Sequence, residues 1–271
     1  MLKLTPRSVA GSHRAKYLQL ADAIRAAIAD GYLEPAENLP SEASIAGMAG
    51  VSKSVVREAF KVLEGEGSLE LRNGVPARVP AISHVREISD QRYRDENRNI
   101  RDGVRADESA FTRGHGIAWS DFQVEVEVNR EVATPKDREL LHLPTDPDVA
   151  AYVWRLSFLK YADGIPVEIQ RSALPDFVVD GNPWLIDPAR QPAPGGTQRD
   201  LADAGFRPTR VSTRGKPRMP TEDERRDLRI AQVPVLDLQR VFWSGRRPVE
   251  ASRLVLPGAS HEIVYETLLR D

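Results

Sequence analysis

Between Leu39 and Gly67 the chain is punctuated in a way that admits few folds. Leu39-Pro40-Ser41-Glu42 ends an extended segment at a proline, offers Ser41 as an N-cap and places Glu42 in the first turn, where the helix macrodipole favours an anion. A short helix through Met48 follows. Gly50-Val51-Ser52 is a second break: glycine permits the tight turn, and Ser52 caps a helix through Val56, Ala59, Phe60 and Leu63. Two short helices across a glycine-containing turn make a helix-turn-helix. Upstream, Leu20, Ile24, Ala27 and Ile28 recur at helical spacing from Lys16 to a stop at Gly31. Downstream, Asn73-Gly74 sits between Leu69–Arg72 and Val75–Val79 and predicts a hairpin, since both central residues of a type I′ turn need positive φ. A hairpin in that place is a wing.

On the last of these helices Val56, Phe60 and Leu63 face the core, while Lys53, Arg57 and Lys61 fall at four-residue intervals on the opposite side. Such a stripe also suits a merely solvated helix face, and Glu58 could pair locally. Its position favours DNA, because the N-terminal part of a recognition helix reaches the major groove. Arg72 and Arg78 flank the wing tip, where they could meet phosphates. The candidate DNA contacts are Ser41, Ser52, Lys53, Ser54, Arg57, Lys61, Arg72, Asn73 and Gly74.

The run from Tyr17 through Leu39-Pro40-Ser41-Glu42 and Gly50-Val51-Ser52-Lys53 to Val56-Arg57-Glu58-Ala59 and Glu66-Gly67 resembles the N-terminal domain of the GntR family of regulators. The resemblance implies a winged-helix homodimer on a palindromic operator in double-stranded DNA, with Lys53 and Arg57 as contacts. Departures are Ala36, where the family usually has glycine, Ala43, where many members have a DNA-contacting arginine, Lys53 in place of arginine, and Val55 in place of threonine. Residues 1–80 hold ten Lys/Arg against nine Asp/Glu, so non-specific affinity is expected to be weak and specific binding to lean on dimerisation.

Residues 84–113 carry seven arginines and seven acidic residues and read as a charged linker or a charged helix, the partly ordered linker being preferred. The domains expected are therefore 1–80, the DNA-binding head; 81–116, the linker; and 117–271, an effector-binding and dimerisation domain. In the last, Phe122–Val128 alternates as a half-buried strand. Thr134-Pro135 opens a helix through Leu141, and Val149–Lys160 pairs with Ile165–Leu174 across Asp163-Gly164. Helices follow near Thr197–Ala204 and Thr221–Leu228, and Val235–Ser244 pairs with Pro248–Leu256. The fold class is α+β: a winged helix-turn-helix followed by an antiparallel sheet packed by helices.

Val153-Trp154-Arg155-Leu156, Asp163-Gly164-Ile165-Pro166-Val167-Glu168, Arg218-Met219-Pro220-Thr221-x2-Glu224, Pro234-Val235-Leu236-x3-Arg240 and Pro248-Val249-Glu250-x-Ser252-Arg253 occur in the order of the UTRA domain, a chorismate-lyase-like fold, in the HutC-type branch of the GntR family. That resemblance implies a small-molecule effector pocket across the sheet, and Arg155, Glu168 and Glu250 carry over to it. The candidate effector contacts are Arg155, Glu168, Thr197, Glu250 and Ser252, with a structural ion-pair network as the alternative for the charged three. Ser157 stands where sugar-phosphate binders tend to have a second arginine and Leu256 where they tend to have tyrosine, so a phosphosugar is disfavoured.

The expected activity is that of an effector-modulated transcription regulator, a repressor, and not an enzyme. The alternatives are a constitutive DNA-binding or plasmid-maintenance protein with a non-functional pocket and, last, an enzyme on the chorismate-lyase-like fold. The chain has no cysteine, and its five histidines have no metal-ligand spacing; His261-Glu262-Ile263-Val264-Tyr265 has tyrosine where a zinc-protease motif needs its second histidine. No metal, cofactor or catalytic residue is expected. Lacking a signal peptide or a membrane-length apolar run, the protein is expected in the cytoplasm, associated with the nucleoid.

Overall fold

The computed structural model describes residues 15–71, 74–80, 86–104, 109–146, 148–162, 164–230 and 232–264. The chain divides into a smaller unit, residues 1–85 with 230–233, and a larger one, residues 86–229 with 234–271.

In the smaller unit α1 (Lys16–Ala29), α2 (Glu42–Ala49) and α3 (Lys53–Gly65) form where the caps predict them. The Ser41 hydroxyl accepts from the Ser44 N–H at 3.2 Å and that of Ser52 from the Val55 N–H at 3.4 Å. Between the two helices Gly50 takes the left-handed conformation, φ 64°. Leu20 and Ile24 of α1, Ile45 of α2, and Val56, Phe60 and Leu63 of α3 close one buried core with Leu39, Leu69 and Val79. Each such side chain contributes about 1.5–3 kcal/mol by leaving water. Glu70 and Arg78 exchange backbone hydrogen bonds at 2.8 and 3.1 Å, as the two arms of the expected wing require. Ala36 has φ 63°; the conformation is one that glycine adopts without strain.

The larger unit is built on a six-stranded antiparallel sheet in the order β2 (Gln123–Val132), β3 (Tyr152–Ala162), β4 (Ile165–Pro175), β7 (Arg247–Pro257), β6 (Val235–Ser244) and β5 (Arg210–Arg218). Its elements in chain order are β1 (Arg86–Ile88), α4 (Gln91–Arg101), α5 (Ala110–His115), β2 (Gln123–Val132), α6 (Pro135–Leu141), β3 (Tyr152–Ala162), β4 (Ile165–Pro175), α7 (Asp176–Val179), α8 (Gly196–Asp203), β5 (Arg210–Arg218), α9 (Glu222–Leu228), β6 (Val235–Ser244), β7 (Arg247–Pro257) and β8 (His261–Ile263). The two predicted hairpins, β3–β4 and β6–β7, meet at the centre through β4 and β7, which are buried on both faces. Thr134 and Asp137 close a capping box over the start of α6. A separate parallel pair joins β1 to β8.

Two features depart from expectation. The sequence Arg210–Arg218 does not alternate, yet it forms the edge strand β5 by pairing with β6 along its whole length; with all nine positions exposed or half-buried on an edge, apolar periodicity is not required of it. Segment 81–116, expected as a linker, contains β1, α4 and α5, and residues from Arg86 onward count with the larger unit. Its charges pair along the outside of α4, as in Arg98–Asp95, while Tyr93 and Glu96 turn inward; buried Glu96 meets Arg199 at 3.0 Å.

Candidate functional site

Strand alternation sorts the side chains of the sheet onto two faces. On one face lie Leu156, Phe158 and Lys160 of β3, Glu168, Gln170 and Ser172 of β4, Glu250, Ser252, Leu254 and Leu256 of β7, and Arg240 and Phe242 of β6, in the register Leu156–Ser172–Ser252–Arg240. Over this floor sit α4, α5, the start of α8 and the loop Gln191–Gly195, leaving a cleft of about 980 Å³ counting the solvent at its mouth. Tyr93 on α4, Phe111 and His115 on α5, Thr197 on α8 and His261 on β8 complete its walls. A narrower extension, which shares Phe158, Gln191 and Thr197, reaches inward to Ser172, Asp200 and Glu250.

The floor is polar along a diagonal. Lys160 Nζ donates to Glu168 Oε1 and to Gln170 Oε1, both at 2.6 Å, and Gln170 Nε2 donates to Ser172 Oγ at 2.8 Å. There the network stops. Among the described residues, Arg240 Nε and Nη2, both Glu250 oxygens and Ser252 Oγ are buried with no hydrogen-bond partner. Arg240 is 8% exposed and Glu250 1%. The Arg240 guanidinium lies 5.2 Å from the Tyr93 ring centre and 5.9 Å from that of Phe242.

Burial pushes the Glu168 carboxyl up, but Lys160, by charge and hydrogen bond, with Arg240 behind it, holds it down at about 2. Burial dominates at Glu250 and raises it; the hydroxyls of Ser172 and Ser252 lie close enough to oppose this in part, short of hydrogen-bonding geometry. Asp200 is pushed up to about 7 by burial, against a hydrogen bond from Gln191.

Of the expected effector contacts, Glu168 and Thr197 line the cleft, Glu250 its extension, and Ser252 lies on the same face. Arg155 is a correction. As an odd-numbered residue of β3 it projects from the opposite face, where it donates to Glu131 at 2.6 Å and in bidentate fashion to Asp137 at 2.7 and 3.2 Å. Ser157 shares that outer parity, so the cation of β3 in the cleft is Lys160. Sequence reasoning missed Lys160 and placed Arg240 in a matching stretch without counting it among the effector contacts. The signal was present in each strand: a single cation among inward apolar positions, Leu156-x-Phe158-x-Lys160 and Leu238-x-Arg240-x-Phe242.

In the smaller unit Lys53, Ser54, Arg57 and Lys61 are exposed on α3. Arg57 Nε donates to Glu42 Oε2 at 2.8 Å, Lys61 to Glu58 Oε1 at 3.0 Å, and the Ser52 and Ser54 hydroxyls share a hydrogen bond of 2.8 Å. Ser41 and Ser52 are the caps of α2 and α3. Gly74 has φ 76°; Arg72 and Asn73 lie outside the described residues. Arg78 donates from Nε to the Ala36 carbonyl at 2.8 Å, which anchors the wing to its own unit. Among the described residues no cluster of three or more histidine or acidic side chains could hold a metal ion, and no helix is long and apolar enough to cross a membrane.

Comparison with known proteins addresses both units. Residues 16–79 match the family described as bacterial regulatory proteins, gntR family, and residues 121–262, more than half of the chain, match the UTRA domain. Over 70 residues the chain is 36% identical to the Glc operon transcriptional activator of Escherichia coli, a match that takes in 26% of this chain and spans 28% of that relative's length. The regulator GgaR of E. coli is 25% identical over 255 residues, covering 92% of this chain and 90% of its own, and the histidine utilization repressor of Pseudomonas putida is 25% identical over 260 residues, covering 91% and 90%. Among solved structures, a chain described as a GntR-family transcriptional regulator matches with TM-score 0.56 at 24% identity over 95% of this chain and 99% of its own, and PhnF of Mycobacterium smegmatis with TM-score 0.51 at 19% identity over 92% and 99%. These two likenesses speak to the fold.

Proposed function

The chain belongs to the gntR family of bacterial regulatory proteins, in the HutC-type branch that carries a UTRA domain, and from that premise we propose that it is a dimeric repressor whose grip on a palindromic operator is set by a small molecule in the cleft of the larger unit. The family is one of transcription regulators, not of enzymes. The observation that carries the reading is a cleft with buried, unpartnered charges, Arg240 and Glu250, on the same chain as a capped recognition helix with an exposed cationic side.

On α3, Lys53 and Arg57 contact base edges and phosphates, with Ser54 and Lys61 alongside; the α2 and α3 caps Ser41 and Ser52 and the wing tip Arg72-Asn73-Gly74 meet the backbone. Repression is favoured by the P. putida relative, a repressor by name along nearly its whole length. Occupancy of the cleft changes operator affinity by a coupling of about 1–3 kcal/mol, roughly 5- to 150-fold. The site of action is chromosomal DNA in the cytoplasm.

Selection of bound fragments from genomic DNA tests this. A palindromic consensus protected by the full chain is expected, with protection lost in Lys53→Ala and Arg57→Ala while thermal unfolding stays unchanged. Retention of operator affinity in both variants would refute the recognition-helix assignment.

A further inference from the structure

Arg240 and Glu250 are diagonal neighbours. On β6 and β7, Arg240 stands opposite Ser252 and Glu250 opposite Phe242, one inward position further along. Side chains in that relation lie about 7–8 Å apart at the backbone, well within reach of an arginine and a glutamate. Yet these two form no ion pair, and the Arg240 Nε and Nη2 and both Glu250 oxygens are left without partners among the described residues. Two opposite charges, both buried and both unsatisfied, carry a heavy desolvation cost unless something supplies the missing contacts. Ser252, the residue between them, also has an unpartnered hydroxyl.

The charge balance of the floor narrows what that something is. Lys160 and Glu168 neutralise each other at 2.6 Å, so Arg240 and Glu250 together ask for one negative and one positive group on a ligand with no net charge. Arg92, half-buried on α4, is a further cation of the lining; its Nη2 donates to the Tyr93 hydroxyl at 2.8 Å, its Nε has no hydrogen-bond partner among the described residues, and it stands on the wall and not on the sheet floor that carries Arg240 and Glu250. A guanidinium suits a carboxylate, and a carboxylate suits an ammonium. Around them Tyr93, Phe158, Leu254 and Leu256 offer apolar wall for the rest of the molecule.

We propose that the effector is a small zwitterion of the amino-acid class, its carboxylate on Arg240 and its ammonium on Glu250. This rests on the cleft being the effector site, as proposed above. A phosphosugar brings two negative charges and no positive one, and leaves Glu250 unpaired.

The test is calorimetric titration of the full chain with the protein amino acids, β-alanine and γ-aminobutyrate at millimolar concentration. Each amino acid that binds is followed by its hydroxy acid, which lacks the ammonium, and its amine, which lacks the carboxylate. At least one amino acid is expected to bind, with both partners weaker by about thirtyfold or more. Arg240→Gln should erase the preference over the amine and Glu250→Gln that over the hydroxy acid; the wild-type series decides the matter alone if either variant fails to fold. Binding of no amino acid, or of a hydroxy acid or glucose 6-phosphate as tightly as the best amino acid, overturns the proposal. Operator binding by the same preparation separates the two failures: if it persists, the regulator stands and only the ligand class falls.

Discussion

Lys160→Met would leave the Glu168 carboxylate buried opposite an apolar side chain. The pair is enclosed, at 8% and 6% exposure, and the ammonium also holds Gln170. Breaking one partner of a buried pair costs about 3–5 kcal/mol, because the remaining charge is uncompensated. A second route agrees: lowering Glu168 from 4.5 to about 2 corresponds to about 3 kcal/mol at 1.36 kcal/mol per pKa unit. The pH dependence carries the sharper signature. In the intact protein the folded pKa of Glu168 lies below its unfolded value, so its contribution is present above about pH 4.5 and is lost as pH falls toward 2. Without Lys160, burial dominates and the folded pKa rises above the unfolded value, so stability falls as pH rises. All four tryptophans, at 119, 154, 184 and 243, lie in the larger unit, and urea unfolding followed by their fluorescence reports that unit. Lys160→Met should lose about 3–5 kcal/mol at neutral pH and more at pH 8 than at pH 5, with most of it restored in Lys160→Met/Glu168→Gln. A loss below about 1 kcal/mol, or a loss independent of pH, refutes the reasoning.

Asp200, with its folded pKa raised to about 7 from 3.8, opposes folding increasingly as pH rises between those values, by up to about 4 kcal/mol; Asp200→Asn should equal wild type near pH 4 and exceed it by a few kcal/mol at pH 8 in the same fluorescence assay. Ala36→Gly, at a position with φ 63°, should raise the stability of the smaller unit by up to about 1 kcal/mol, read by calorimetry, whereas a loss would mean the strain is absent. The Arg57–Glu42 pair is exposed on the arginine side, at 63%, and is worth at most about 1 kcal/mol; Glu42→Gln should leave unfolding unchanged and strengthen operator binding severalfold by freeing the guanidinium, a result checked by fluorescence anisotropy.

Where local chemistry decides structure, the chain was legible. The caps Ser41, Ser52 and Thr134 and the left-handed Gly50 bound helices whose ends need those groups, and the hairpins β3–β4 and β6–β7 follow from alternation around turns. Legibility failed where partners distant in sequence decide. Strand β5 exists because β6 offers it an edge, and α4 turns a glutamate inward because Arg199, about a hundred residues on, receives it. Site residues follow the same division. Glu168 and Glu250 are inward on their strands and line the cleft and its extension, whereas strand parity puts Arg155 on the outer face with Glu131 and Asp137 and leaves Lys160 and Arg240 as the inward cations of β3 and β6.

That β1, α4 and α5 form part of the larger unit matters to anyone wishing to exchange heads among regulators of this kind. Composition suggests a junction near residue 117, and a hybrid cut there would discard Tyr93, Phe111 and His115 and unroof the cavity. The suture belongs before Arg86, within the few residues that precede β1. Joined before Arg86, a transplanted head leaves α4 and α5 in place over the sheet, and the cavity they wall passes to the hybrid whole.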